Sequence, residues 1–187
     1  MWLVVGLGNP GSQYEGTRHN VGFDIVEAWA NRHGLGIERS EHKALTRRGR
    51  ARGHEVIVAK PQTFMNLSGD SVGALARYYK VDPAQVIVVH DELDFDPGDV
   101  RLKMGGGHGG HNGLRSIAAT MGPDFVRVRV GIGKPPPRME GADFVLSRAR
   151  GDDKIALEQA SILSGEVLDR VLEDGVAAAM NRVNRRT

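Results

Sequence analysis

Val86-Ile87-Val88-Val89-His90-Asp91-Glu92-Leu93-Asp94 is the stretch that decides the fold. Four consecutive β-branched apolar residues leave no polar position to face water, which is how a strand buried on both faces reads in a mostly parallel sheet. An imidazole and three carboxylates follow almost at once. In open α/β sheets the sites gather outside the carboxyl ends of the strands, so the spacing places a candidate site in a loop beginning at Asp91.

Working outward, Trp2 to Val5 is a second short apolar strand, ended by Gly6-Leu7-Gly8-Asn9-Pro10-Gly11. A helix follows, with Asn20 as its cap, Val21, Ile25, Ala28 and Trp29 on one face and Gly34 as its stop. Ala44 to Arg48 and Glu55 to Ala59 read as a strand pair joined through Gly49 and Gly53. Ser68 to Lys80 carries Val72, Leu75, Ala76 and Tyr79 at helical spacing, with Ser68 or Asp70 near its start. Beyond the central strand come a turn at Asp96-Pro97-Gly98, a strand over Val100 to Met104, and a helix from Leu114 to Met121. Val126 to Ile132 alternates like a strand, Lys134-Pro135-Pro136-Pro137 is a stiff loop, and Asp153 to Asn184 is helical with a break at Gly175. Strands alternating with helices predict an α/β fold: one domain over residues 1–187, a mixed and mostly parallel central sheet, and helices flanking it.

Composition narrows the chemistry. Cysteine is absent from the 187 residues, which excludes disulfides, thiolate metal sites and a cysteine nucleophile and is compatible with a reducing, cytoplasmic setting. No run reaches the ~18 apolar residues of a membrane span, and no secretory leader is visible, so no membrane association is expected. Net charge is only +2, yet 19 of the 25 basic residues are arginine, whose planar fork suits phosphate. Six basic residues fall between Arg39 and Arg52; a solvated hairpin face explains them as well as a nucleic-acid partner does. Glycine, 25 residues, is about twice its usual ~7% share and is clustered in loops.

Gly6-x-Gly8-x-x-Gly11 matches the dinucleotide-binding fingerprint in letters only. Pro10 and the polar stretch to Arg18 postpone the helix that should open inside the motif, and no acidic residue ends a second strand about 20 positions on. His19 stands just before the Asn20 cap, where the positive helix end favours the neutral, proton-accepting imidazole. Asp91 could orient that imidazole and favour the imidazolium formed when it takes a proton. His108, His111 and Asn112 stand in a nine-residue stretch, Gly105 to Gly113, of which six are glycine; side-chain-free backbone there admits a bulky ligand. The absence of GK[ST] argues against a nucleoside triphosphatase. Asn9, Asn66 and Asn112, each between a strand and a helix, offer uncharged donors and acceptors for a peptide backbone or a water.

Taken in order, Val5-Gly6-Leu7-Gly8-Asn9-Pro10-Gly11, Thr17-Arg18-His19-Asn20-Val21-Gly22, Thr63-Phe64-Met65-Asn66-Leu67-Ser68-Gly69, His90-Asp91-Glu92-Leu93-Asp94 and Gly105 to Leu114 resemble the bacterial peptidyl-tRNA hydrolase family. The resemblance runs on to Arg129-Val130-Gly131-Ile132-Gly133. It implies hydrolysis of the ester between a peptide and the 3′ ribose of tRNA, with His19 as base, Asp91 as its partner and Asn9 discriminating N-blocked substrate. It further implies that Tyr14, Phe64, Met65, Asn66, His111 and Asn112 line the substrate cleft, and that Lys103 and Arg129 meet tRNA phosphate. Peptidyl-tRNA is then the partner, with no cofactor, no metal, no obligate protein partner, and a monomeric state. Asn66, Asn112 and loop N–H groups all remain possible oxyanion donors. Two other readings compete: a metal-assisted hydrolase on His90, Asp91, Glu92, Asp94, His108 and His111, and a tRNA-binding module without chemistry.

Overall fold

The computed structural model describes residues 1–186. Among them, seven strands form one sheet: β1 (Trp2–Gly6), β2 (Arg39–Glu41), β3 (Ala44–Ala51), β4 (His54–Pro61), β5 (Val86–Glu92), β6 (Val100–Met104) and β7 (Val126–Gly131), in the order β2-β3-β4-β1-β5-β7-β6. The β4–β1, β1–β5 and β5–β7 pairings are parallel, and the three outer pairings are antiparallel. The expected mixed sheet with a parallel centre is therefore the observed one. Helices α1 (Val21–Arg32), α2 (Ser68–Tyr78), α3 (Asn112–Met121), α4 (Gly141–Val145), α5 (Gly151–Asp174) and α6 (Val176–Val183) flank it.

Both faces of the central strands are covered, which is why their sequences are continuously apolar. Val4, Ile87, Val89, Val128 and Val130 pack with Ile25, Val26 and Trp29 of α1 and with Leu168, Val171 and Ala179 of α5 and α6. Leu3, Val5, Ile57, Val86 and Val88 pack on the other side with Val72 and Leu75 of α2 and Leu114 and Ile117 of α3. The sheet edges are managed separately. β2 is only three residues long, and on β6 the Asn184 carboxamide occupies the exposed ladder position by accepting from Leu102 N–H and donating to Leu102 C=O, at 3.1 and 2.9 Å.

Several local expectations shift. Gly49 is not in the hairpin turn but inside β3, where a Cβ would meet Leu35 Cδ2 at 2.8 Å; the turn is Arg52-Gly53, both at positive φ. Neither β2 nor α4 was expected. Two of the six cations of the basic stretch are structural: Arg47 bonds Glu27 and Asn31 of α1 and the carbonyls of Leu35 and Gly36, and Arg52 pairs with Asp169 and Glu173 of α5. The break at Gly175 falls where expected, at φ +86°. Among the described residues no helix is long and apolar enough to cross a membrane.

Candidate active site

The site begins with two glycines that let backbone touch backbone. A Cβ on Gly22 would stand 2.4 Å from Val89 O and 2.6 Å from Leu7 N, and one on Gly6 would stand 2.2 Å from Gly22 O. Only hydrogen fits in either place. The start of α1 is therefore pressed against the carboxyl ends of β1 and β5, so the glycine-rich first loop makes room for a helix rather than for a phosphate. Asn20 makes no side-chain cap on α1. Its carboxamide instead accepts from Asn9 N–H and donates to Asn9 C=O, at 2.8 and 2.9 Å, tying the loop after β1 to the turn before α1.

That turn, Arg18 to Asn20, is a 3-10 turn held on one side by Arg18. The buried Arg18 guanidinium donates to Ser147 Oγ and lies 4.3 Å from the Phe144 ring centre. His19 is thereby aimed at Asp91. The carboxylate lies inside β5, opposite Val130 of β7, and not in the following loop: the strand runs three residues beyond its apolar part because β7 continues to pair with it.

Asp91 is 3% exposed and holds two imidazoles. His19 Nδ1 lies 2.7 Å from Oδ2, and His111 Nε2 lies 2.8 Å from Oδ1. The tautomers follow from the other ring atoms. His111 is the N-cap of α3, and its Nδ1 accepts from Gly113 N–H and Leu114 N–H at 3.1 and 3.3 Å. A nitrogen that accepts carries no proton, so the His111 proton is on Nε2 and is donated to Asp91. His19 likewise donates Nδ1–H to the carboxylate, which leaves its Nε2 bare.

Burial works to lower the His19 pKa, but the charge of Asp91 and the hydrogen bond to it outweigh burial, and the net shift is upward. The carboxylate prevails over the helix-end field that alone favoured neutrality. Burial likewise works to raise the Asp91 pKa, and the two histidines overcome it and hold that pKa well below the usual carboxylate range. His90, fully buried beside them, is pushed down to about 3, mainly by burial and then by His111.

Asn9 adds a second element. Its Oδ1 accepts from Met65 N–H at 2.7 Å, so the amide presents donors only. Met65 in turn packs against the start of α3, where a Cβ on Gly113 would stand 2.7 Å from Met65 Sδ and 2.8 Å from Leu7 Cδ1. His19, Asp91 and His111 thus form one bonded group and Asn9 and Met65 another, the two meeting at Gly113, and Asn112 follows His111 as the first residue of α3. Phe64 (55% exposed) and Asn66 flank Met65 and are open to solvent. Tyr14 lies in the preceding 3-10 turn, half-buried, with no contact tying its ring to this group. Lys103 and Arg129 lie to one side of it, in a depression of about 230 Å³ lined also by His90, Arg127, Glu92 and Asp94, where Arg129 pairs with Glu92 at 3.4 Å.

Of the six residues of the metal reading, His90, Glu92, Asp94 and His108 line one depression and Asp91 bonds His111, but among the described residues no three of the six bring ligand atoms to one point. Among the described residues, the group close enough to share an ion is His19, Asp91 and His111, with ligand atoms within 4.8 Å. A ligating nitrogen must be unprotonated. His111 Nε2 carries its proton because Nδ1 takes two backbone N–H groups, so this donor set suits proton handling and not a divalent cation.

An α/β domain with a histidine–carboxylate cluster at the carboxyl ends of its parallel strands has the form of a hydrolytic enzyme. Comparison with known proteins narrows that class. The chain belongs to the peptidyl-tRNA hydrolase family, whose profile matches residues 3–187. It is 50% identical over 186 residues to the peptidyl-tRNA hydrolase of Rhodococcus jostii, covering 97% of each chain, and 46% identical to that of Chloroflexus aggregans over 98% of this chain and 99% of the other. The crystal structure of peptidyl-tRNA hydrolase from Acinetobacter baumannii superposes with a TM-score of 0.93 at 40% identity, covering 98% of this chain and 94% of that one.

What sequence reasoning missed here is the second imidazole on Asp91. His111 was expected to line the cleft, and the signal for its larger role was available: it immediately precedes a helical run, in the N-cap position. Asn20 stands at the N-cap position of α1 as expected, but its side chain makes no capping bond, because its partner, Asn9, lies eleven residues away.

Proposed function

We propose that the protein hydrolyses the ester between a peptide and the 3′ ribose of tRNA, with His19 Nε2 removing a proton from the attacking water. The observation that carries this reading is the 2.7 Å contact between His19 Nδ1 and Asp91 Oδ2, which fixes the ring and leaves the opposite nitrogen free. As the water gives up its proton, His19 becomes cationic, and the buried carboxylate 2.7 Å away stabilises that charge. As the acyl–oxygen bond breaks, the imidazolium returns that proton to the departing 3′ oxygen of the ribose, so a positioned water suffices and no covalent intermediate is required.

Asn9 supplies selectivity in the same picture. With Oδ1 held by Met65 N–H, it offers only N–H groups to the cleft. The acyl carbonyl of an N-blocked substrate accepts such a bond, whereas the free ammonium of an unblocked aminoacyl-tRNA is itself a donor and meets no acceptor. Asn66 and Asn112, both exposed at the cleft margin, are donors available to the oxyanion. Lys103 and Arg129 make sequence-blind phosphate contacts, and the enzyme acts as a cytoplasmic monomer without cofactor or metal.

The reading is tested by following release of the acyl group from N-acetylaminoacyl-tRNA and from the same aminoacyl-tRNA unblocked, each with and without EDTA. The expected result is rapid turnover of the blocked substrate, little of the unblocked one, and no effect of the chelator. Loss of turnover in EDTA would instead restore the metal-assisted reading. No release at all from either substrate, with tRNA still bound, would leave only the binding module.

A further inference from the structure

Arg127 is the most deeply buried arginine among the described residues and has no carboxylate. It is 2% exposed, stacks 4.4 Å from the Phe125 ring centre, and among the described residues no acid pairs with it. Its guanidinium is met instead by three backbone carbonyls: Gly107 O on one terminal nitrogen, and Gly106 O and Pro123 O on the other, at 2.7 and 3.1 Å. An unpaired guanidinium is expensive to bury; the carbonyls satisfy its two terminal nitrogens, while the buried Nε has no partner. The same bonds pin the glycine loop, which has few side chains of its own to anchor it.

The pinned segment meets a second cation. Gly106 sits at φ +103°, and a Cβ there would stand 2.6 Å from both Cε and Nζ of Lys103. The Lys103 side chain therefore lies directly over the Gly106 backbone. Lys103 is also the cross-strand neighbour of Arg127 in the β6–β7 ladder. Among the described residues no acid or carbonyl pairs with its ammonium, and it lines the same depression as Arg129.

We infer that Arg127 is a positioning residue for tRNA binding: by holding Gly106 and Gly107 through their carbonyls, it fixes the surface on which Lys103 lies and so places that ammonium in the depression. The inference rests on the reading of Lys103 as a phosphate contact. It concerns how the substrate body is held, not the chemistry at His19.

The test compares Arg127→Lys, which keeps the charge but loses the fork, with Lys103→Met, Gly106→Ala and the Arg127→Lys/Lys103→Met double variant. Two substrates are used: full-length N-acetylaminoacyl-tRNA, and N-acetylaminoacyl-adenosine, which carries no phosphate. For Arg127→Lys on full-length substrate, KM is expected to rise about tenfold with kcat within about twofold, and the salt slope to fall by about 1, as for loss of one phosphate contact. Turnover of N-acetylaminoacyl-adenosine stays at the wild-type value, and the double variant is no worse than Lys103→Met alone. Gly106→Ala, which displaces Lys103 and strains the backbone whose carbonyl Arg127 holds while leaving the guanidinium in place, gives the same split and serves if Arg127→Lys does not fold. If Lys103→Met leaves KM and salt slope unchanged, the phosphate reading itself fails. If Lys103→Met raises KM while Arg127→Lys and Gly106→Ala do not, or if the Arg127→Lys defect extends to the adenosine substrate or adds to that of Lys103→Met, the positioning role is overturned.

Discussion

Replacing His19 with alanine is expected to lower the rate of peptide release by about 10³-fold, within the range measured for loss of a positioned general base and equivalent to about 4 kcal/mol of barrier. The loss should be in kcat. His19 is 15% exposed at its side chain and contacts Asp91, which retains His111 in the variant, so the carboxylate is not left unpaired and the fold persists. The fold of the substrate-binding surface persists with it, and tRNA binding should remain near the wild-type level. Single-turnover release and filter binding on the same preparation check both halves. Release within a few-fold of wild type would remove His19 from the reaction.

Asp91→Asn should be nearly as damaging, for a reason written in the tautomers. His111 Nε2–H must donate, because Nδ1 is held by Gly113 and Leu114 N–H, so it takes the amide oxygen of the new side chain. The amide NH₂ then faces His19 Nδ1, which must accept. The His19 proton moves to Nε2, and the base is capped; a fall of roughly 10²–10⁴-fold follows, comparable to the loss seen when a histidine-orienting aspartate is neutralised elsewhere. The pH profile should move too. In the wild type only neutral His19 works, so activity falls as pH drops through its pKa, and that limb is centred above the ordinary 6.5 because Asp91 has raised it. Without the carboxylate, burial acts unopposed, and the acid limb of the residual activity shifts below 6.5. Profiles of kcat/KM against pH for the two proteins report the shift directly; limbs that coincide would show that Asp91 does not tune the base.

How far the sequence carried the fold depended on the range of the forces involved. The Val86–Val89 strand, the Gly175 break and the parallel centre were legible because continuous burial, helix termination and strand–helix alternation are local or periodic signals. Gly49 was misplaced in a turn because glycine marks turns and tight packing alike, and only the position of Leu35 distinguishes them. In the site, His19 and Asp91 could be paired because each lies at the carboxyl end of a central strand. That His111 shares the same carboxylate could not, since His19 and His111 meet on Asp91 only in three dimensions, 72 and 20 residues from it along the chain. Arg127 was invisible for the same reason: in sequence it is one of several alternating residues of a strand, and its carbonyl partners lie about twenty residues upstream and at Pro123.

Two imidazoles share one buried carboxylate, and the division of labour between them is what makes the site a proton acceptor. His111 is locked by the helix it caps, so its proton is not available for exchange with substrate. His19 is the one free to change state, at a nitrogen facing away from Asp91. Nitrogen-15 NMR of the histidine side chains across a pH titration observes this without substrate or mutation. The expected spectrum has neutral His19 protonated on Nδ1, titrating above 6.5, and the neutral His111 ring in the opposite tautomer, protonated on Nε2. A neutral His19 carrying its proton on Nε2, or titrating below 6.5, would contradict the assignment of that nitrogen as the base.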